Sequence, residues 1–173
     1  LGIKTMDEMI GRTDLLEVND AILPWKAKGV DLSKILYRPD MPESVGRFKT
    51  MEQDHGIDDI LDLKLLKLAE NSLKNASPVK AELNIQNFNR TTGAMLSGEV
   101  CKIFGEEGLP QDTINFKFKG YAGQSFGAFL AKGVTFELEG MANDYVGKGI
   151  SGGKIIIYPD KKAEFEASEN IIT

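Results

Sequence analysis

Three glycines in the last third of the sequence, Gly147, Gly149 and Gly152, have the GxGxxG spacing of a dinucleotide-binding loop. That loop binds a pyrophosphate only where it follows an apolar strand and opens a helix. Here the glycines precede the apolar segment 154–158, so the order of the elements is reversed. The sequence therefore predicts no nucleotide site at these glycines.

Two residues that occur only once could act in catalysis, His55 and Cys101. A zinc site needs a set of histidine, cysteine or carboxylate ligands, and His55 has no second histidine or cysteine near it. We therefore expect His55 to lie at the surface or to cap the helix that follows it. Cys101 stands among apolar residues of a predicted helix, which favours a small buried side chain over a nucleophile.

Three carboxylates, Asp58, Asp59 and Asp62, lie at positions i, i+1 and i+4 of a predicted helix. We interpret them as charges that complement the positive end of the helix dipole and as a solvated face, not as an acid/base pair. The sequence thus predicts no catalytic, cofactor-binding or metal-binding residue in this chain.

A repeated sequence lies between Ile114 and Gly153 and contains the three glycines of the GxGxxG spacing. Twenty residues from Ile114 align with the twenty from Val134, so that apolar residues and glycines recur at the same places. A fixed period of this length, with short strands and glycine corners, is typical of a solenoid. The aligned pairs are Phe116/Phe136, Phe118/Leu138, Ala122/Ala142, Phe126/Val146, Leu130/Ile150, Gly120/Gly140, Gly127/Gly147 and Gly133/Gly153.

Apolar and charged residues alternate at the start of each repeat, as they do in a strand. Parallel strands lie about 4.8 Å apart, so Lys117 and Lys119 are predicted beside Glu137 and Glu139 on the outer surface. The repeated glycines are predicted at the corners, because glycine turns sharply without a Cβ penalty. Opposite charges in neighbouring repeats favour this register.

A third copy of the repeat begins at Lys154, where Ile156 and Tyr158 are predicted to continue the two leading apolar columns. Stacked coils of this kind form a parallel β-helix. The predicted fold class is therefore mainly β, a β-helix solenoid of about 20 residues per coil, preceded by an N-terminal linker and helices.

Residues 1–50 are predicted to form a linker from an upstream domain. Thr5 and Glu8 have the spacing of a capping box for a short first helix. From residue 12 onwards the segment contains three prolines and little periodicity, which indicates a connector that lies on another surface. Trp25 is interpreted as an anchor for that contact.

Residues 51–173 are predicted to form the β-helix domain. Apolar spacing predicts a helix over residues 57–73 with one buried stripe, followed by a strand over residues 79–85. Residues 93–96 resemble a corner of the repeat and would belong to a first, longer coil. A helical insertion over residues 99–104 accounts for its extra length.

Composition restricts the partners. The chain has 173 residues and a net charge of −5, which argues against nucleic acid or an anionic membrane as the main partner. It contains no apolar run of about 18 to 20 residues that could span a membrane. One cysteine is consistent with a reducing compartment, and we expect a cytoplasmic protein.

Because the chain starts at Leu1 and shows no polar cap at its end, we also expect it to be an excised piece.

One segment resembles a known family. The run NRTTGAMLSGEVCKIFGEEGLPQDTINFKFKGYAGQSFGAFLAKGVTFELEGMANDYVGKGISGGKIIIYP closely resembles the C-terminal GXGXG domain of the glutamate synthase large subunit. LGIKTMDEMIGRTDLLE resembles the segment that joins the flavin-binding barrel to that domain. The resemblance implies a right-handed β-helix with a mainly structural role.

The resemblance also implies what the parent enzyme does. In this family the complete enzyme uses FMN and an iron–sulfur cluster to form glutamate from 2-oxoglutarate and glutamine-derived ammonia. The cysteine nucleophile, the flavin barrel and the cluster cysteines lie upstream of the matched portion. We therefore expect a non-catalytic scaffold without a cofactor of its own, with the upstream catalytic domains of the same enzyme as partners. Self-association into a homo-oligomer is left open.

Two alternatives differ in class. The chain could be a free-standing β-helix module that associates with separate catalytic subunits. It could also be a solenoid enzyme with a site between coils, as in acyltransferases. Such enzymes use histidine chemistry, whereas His55 lies outside the repeats.

Overall fold

The structure, a computed structural model, describes residues 2–17 and 24–172. The predicted linker over residues 1–50 is therefore described only in part. The chain divides into two compact units, Leu1–His55 and Gly56–Thr173, each of which is described by itself.

The first unit contains short helical segments and loops. Its α-helices are α1 (Met6–Met9) and α2 (Ser33–Leu36), and single 3₁₀ turns cover Thr13–Leu15 and Trp25–Ala27. The predicted cap of α1 is confirmed, because the backbone nitrogen of Glu8 donates to the Thr5 hydroxyl at 3.3 Å. None of the described residues in this unit is buried.

The second unit is built on a four-stranded sheet with the order β1-β2-β3-β4 and parallel pairing throughout. The strands are β1 (Val79–Ile85), β2 (Ile114–Ala122), β3 (Val134–Ala142) and β4 (Lys154–Tyr158). The bounds of β1 confirm the strand predicted over residues 79–85. Its helices are α3 (Leu61–Leu68), α4 (Glu70–Asn75), α5 (Ala94–Phe104) and α6 (Ala167–Asn170).

The predicted 20-residue register is confirmed between β2 and β3. Phe116 pairs with Phe136 and Gly120 with Gly140 along the two strands. The Phe116 and Phe136 rings are stacked with their centroids 6.4 Å apart, and both side chains are fully buried. Alternating apolar residues in parallel strands therefore form shared rows in the core, as the sequence predicts.

The register predicted for the third copy is wrong by one residue. Ile155 pairs with Phe136 and Ile157 with Leu138, so these two isoleucines extend the inner rows. In the second copy, Gly133 is followed by Val134 and then by Thr135. In the third copy, Gly153 is followed directly by Lys154, which pairs with Thr135, so the third copy has no equivalent of Val134. A shift of one residue reverses the faces of a strand.

The predicted fold class is also wrong. The second unit is an α/β fold with a single parallel sheet and helices, not a mainly-β right-handed β-helix. A β-helix coil needs further strands after its first one, but residues 124–133 and 143–153 form successive turns. Among the described residues, the strand-like pairing between these turns is limited to isolated bridges from Ala131 to Ser151 and to Gly152.

The corner positions predicted for Gly120 and Gly140 are wrong as well. Both glycines lie inside strands, near their carboxyl ends. Gly140 has a φ of +151°, and a Cβ atom there would lie 1.8 Å from the carbonyl oxygen of Gly120. Glycine is needed at this position because the backbones of neighbouring strands approach closely.

The predicted helices differ from the observed ones in their bounds. The segment predicted as one helix over residues 57–73 forms α3 and α4, which meet at Ala69. The helix predicted over residues 99–104 begins at Ala94 instead, so residues 93–96 do not form a strand corner. Helices α3 and α5 supply Leu65, Leu96 and Val100 to the same buried cluster as the phenylalanines of the sheet, and Leu73 of α4 packs against it.

Candidate functional site

The GxGxxG glycines lie in the turns between β3 and β4, and their space is used for packing within the fold. A Cβ atom at Gly149 would lie 2.8 Å from the Phe129 ring, and one at Gly152 would lie 3.1 Å from the Lys132 Cβ. No helix follows them, since β4 begins at Lys154. Because these glycines have no side chain, residues of the preceding repeat can pack against them. They do not form a phosphate-binding loop.

Asp62 is a buried carboxylate that sequence reasoning placed on a solvated face. Its side chain is only 4% exposed and accepts backbone hydrogen bonds from Gly93, Met95 and Leu96 at 2.8 to 3.3 Å. Burial raises the pKa of Asp62, and these hydrogen bonds partly oppose that rise. The carboxylate therefore occupies the anion site that a helix N-terminus offers.

A signal for this role existed in the sequence. The helix α5 begins after Gly93, a residue that has no side chain with which to cap the first turn. Free backbone N–H groups at a helix start require an acceptor from elsewhere in the chain. Asp62 is one of three carboxylates near a helix start, and sequence spacing alone did not distinguish it from Asp58 and Asp59, which are exposed.

The outer face of the sheet has a network of charges. Lys117 pairs with Glu137 at 3.7 Å and with Glu139 at 3.4 Å, and Lys119 pairs with Glu139 at 3.5 Å. The predicted placement of these lysines beside the glutamates is thereby confirmed. Tyr158 donates its hydroxyl hydrogen bond to Glu137, and this bond raises the pKa of Tyr158. These groups are already paired with one another and hold the strands in register.

A crevice of about 290 Å³ lies at the carboxyl ends of β2 and β3. Its walls include Lys119, Tyr121, Glu139, Met141 and the segment 159–165. The carboxyl edge of a parallel sheet is a common place for a ligand. The lining contains neither histidine nor cysteine, and Glu139 is paired with lysines. The crevice therefore has the position of a ligand site.

The remaining candidates are each exposed in the unit to which they belong. His55 is exposed, in agreement with the surface position predicted as one of its two interpretations. Cys101 is exposed, so the prediction of a buried side chain is wrong. It follows Val100 by one residue, and one residue turns a side chain by about 100° around the helix axis. Trp25 is 76% exposed.

The parent family's iron–sulfur cluster does not fit the donors of this chain. Such clusters are held by several cysteine thiolates, and the sequence supplies one cysteine. Among the described residues, no group of three or more histidine, cysteine, aspartate or glutamate side chains could hold a metal ion. Residues 2–17 and 24–172 also include no helix with the length and hydropathy needed to cross a membrane.

Comparison with known proteins identifies relatives of this segment. The glutamate synthase [NADPH] large chain of Bacillus subtilis (strain 168) is 45% identical over 99% of this chain and 11% of its own length. The glutamate synthase [NADH] of Saccharomyces cerevisiae is 47% identical over 99% of this chain and 8% of its own. The ferredoxin-dependent glutamate synthase 2 of Synechocystis is 36% identical with shares of 99% and 11%.

The chain thus spans about a tenth of the length of the curated relatives it matches. The resemblance predicted from the sequence is confirmed by these relatives and by a family model, described as GXGXG motif, that matches residues 62–173. The matched range covers the whole sheet with its helices. This chain belongs to the GXGXG motif family, as a homologue of one segment of glutamate synthases.

Proposed function

We propose that this chain is a structural, non-catalytic segment of a glutamate synthase, an oxidoreductase that forms glutamate from 2-oxoglutarate and glutamine-derived ammonia. One observation carries the proposal: relatives named glutamate synthase match 99% of this chain, while the chain makes up only 8 to 11% of their length. The involvement of Asp62, Glu137 and Glu139 in the fold itself also supports a scaffold role.

The names of the relatives bear on whether this segment determines the electron donor of the enzyme. Their names indicate three electron donors, NADPH, NADH and ferredoxin. A segment that is similar in all three kinds does not select the donor. We infer that donor selection, FMN binding and the iron–sulfur cluster belong to other parts of the complete polypeptide.

The exposed apolar residues of the first unit support a partner within the same enzyme. Trp25, Ile35, Tyr37 and Met51 are each more than 70% exposed, and the described part of this unit has no buried residue. Large apolar side chains at this exposure indicate a segment that packs on another surface. Upstream catalytic domains of the same enzyme are the proposed partner. The cytoplasmic location predicted from the sequence stays a prediction.

Purification of this chain alone and of the complete polypeptide tests the proposal. We expect the complete polypeptide to show flavin absorbance and glutamate formation, and the chain alone to show neither. FMN bound to the isolated chain in stoichiometric amount would refute the scaffold role. The intact mass of the native gene product tests the free-standing module. A mass that greatly exceeds the 19.0 kDa of this chain would contradict that alternative.

A further inference from the structure

Two large aromatic residues in the turns of the second unit have backbone conformations that favour glycine. Phe129 has a φ of 57° and Tyr145 a φ of 64°. Bulky residues rarely adopt a left-handed conformation, because Cβ crowds the neighbouring backbone. Residues held in such conformations are concentrated at functional sites.

The repeat shows that the left-handed conformation itself does not depend on an aromatic side chain. Gly149 occupies the position of Phe129 in the next copy, with a φ of 64°. Ser125 and Thr91 occupy the position of Tyr145 in the preceding copies, with φ values of 62° and 55°. The backbone conformation is thus a property of the repeat, whereas the aromatic side chains are particular to these two places.

Both side chains are at the surface. Phe129 is 54% exposed and Tyr145 is 63% exposed. The carbonyl oxygen of Lys148 accepts the hydrogen bond of the Phe129 nitrogen at 2.8 Å, and its ammonium lies 5.2 Å from the Tyr145 ring centroid. Phe129, Tyr145 and Lys148 are called the aromatic patch below.

The basic residue of the patch has no ion-pair partner among the described residues. Lys148 forms no ion pair with any of the described residues, in contrast to Lys117, Lys119 and Lys154. Exposed aromatic rings beside a basic side chain are typical of the energetically important centre of a protein interface. A partner that covers the patch would supply an apolar side chain and a carboxylate.

We propose that the aromatic patch is a docking surface for another part of the same polypeptide, one that presents an apolar side chain and a carboxylate. The inference rests on the proposed function, since roughly nine tenths of each relative's length lies outside the segment that matches this chain. In such a protein, the other domains of the same polypeptide provide most of the surface that could cover the patch. A second copy of this chain is the alternative occupant that the experiment distinguishes.

Hydroxyl-radical footprinting with mass spectrometry tests the proposal on the isolated chain and on the complete polypeptide. We expect Phe129 and Tyr145 to be oxidised about fivefold or more slowly in the complete polypeptide, because residues in an interface core lose contact with water. Phe88, which is 70% exposed and lies outside the patch, is the internal reference. Equal oxidation of the patch in both samples would overturn the proposal.

Two variants separate docking from folding. Tyr145→Asn keeps a residue that tolerates the left-handed conformation. It should leave the melting temperature of the isolated chain unchanged or higher, yet remove the protection of Phe129 in the complete polypeptide. Lys148→Glu should also remove that protection, whereas Lys148→Arg should retain it. Retained protection in both Tyr145→Asn and Lys148→Glu would contradict the assignment of the patch.

The oligomeric state and the mass distinguish the remaining outcomes. Protection of the patch in the isolated chain, together with a dimer in analytical ultracentrifugation, would overturn the choice of partner in favour of a second copy. A native gene product no larger than this chain would refute the proposed function itself. A large gene product with an accessible patch would overturn only the present inference.

Discussion

The Asp62 carboxylate lies 2.8 Å from the backbone nitrogen of Gly93, which is 31 residues away in sequence, and this contact connects α3 with the start of α5. Gly93 precedes α5 and has no side chain to cap it. Asp62, in α3, performs the capping from outside the helix. This contact explains why the segment after Gly93 is helical, although it resembles a corner of the repeat in sequence.

Replacement of Asp62 should therefore destabilise the second unit. Asp62→Asn keeps one oxygen acceptor but loses the charge, and we expect a loss of about 1 to 2 kcal/mol in the free energy of unfolding. Asp62→Ala should cost more, because a buried donor without an acceptor costs about 1 to 3 kcal/mol. Urea denaturation followed by circular dichroism measures both losses.

Asp58→Asn is the matched control for this pair of variants. Asp58 is exposed and lies shortly before α3, so the change should stay within about 0.5 kcal/mol of the wild type. If Asp62→Ala were as stable as Asp58→Asn, the capping contact would not stabilise α5.

Gly140 should tolerate no side chain. A Cβ atom there would lie 1.8 Å from the Gly120 carbonyl oxygen, and the φ of +151° adds backbone strain of about 1 to 3 kcal/mol. We expect Gly140→Ala to lower the melting temperature severely or to prevent folding. Gly98→Ala is the control, because Gly98 lies in α5 with open space around its Cβ position. It should stabilise the chain by about 0.5 to 1 kcal/mol, and a Gly140→Ala variant of equal stability would contradict the close strand approach.

Phe136 should be the most costly aromatic residue to truncate. Its ring contacts those of Phe116, Phe118 and Phe126 at centroid distances of 6.4, 4.9 and 5.5 Å, and it is fully buried. Phe136→Ala should reduce the free energy of unfolding by about 3 to 5 kcal/mol. Phe88→Ala, at a position that is 70% exposed, should change it little in the same denaturation experiment. A loss below about 1 kcal/mol for Phe136→Ala would contradict a tightly packed aromatic row.

Local alternation was sufficient to predict the pairing of β2 with β3. Phe116 and Lys117 point to opposite faces, and the equivalent residues of the next repeat repeat that pattern, so a register of 20 residues satisfies both faces together. Alternation did not reveal the register of β4. The residue skipped after Gly153 changes which side chains face inwards, and both Ile155 and Ile156 are apolar enough to fill either place.

The fold class could not be derived from the repeat because periodicity specifies stacking and not the conformation of every segment. Stacked turns with left-handed residues, such as Ser125 and Tyr145, repeat at the same spacing as stacked strands would. The helix α5 depends on a carboxylate that is distant in sequence, which no local pattern reports. Long-range acceptors and turn geometry are thus the features that sequence reasoning missed.

Asp112 gives a prediction for the effect of acid. It lies in the loop before β2 and accepts hydrogen bonds from the Lys154 ammonium at 2.8 Å and from the Thr135 hydroxyl at 2.6 Å. The hydrogen bond from Lys154 is the main cause that lowers the pKa of Asp112, and the one from Thr135 adds to it. A carboxyl whose pKa is lower in the folded chain stabilises that chain above its unfolded pKa, about 3.9 for aspartate. This contribution is lost as the pH falls through the lower folded pKa.

Asp112→Asn should therefore be less stable than the wild type near neutral pH, and the difference should shrink as the pH is lowered from about 6 to about 2. Asparagine also tolerates the left-handed conformation of residue 112, whose φ is 58°, so the backbone is not strained by the change. Urea denaturation at a series of pH values measures the difference. Asp144→Asn is the control for the loss of a carboxylate, since Asp144 forms no ion pair with the described residues. A difference between Asp112→Asn and the wild type that stays constant over this range would show that the contact with Lys154 does not depend on the charge of Asp112.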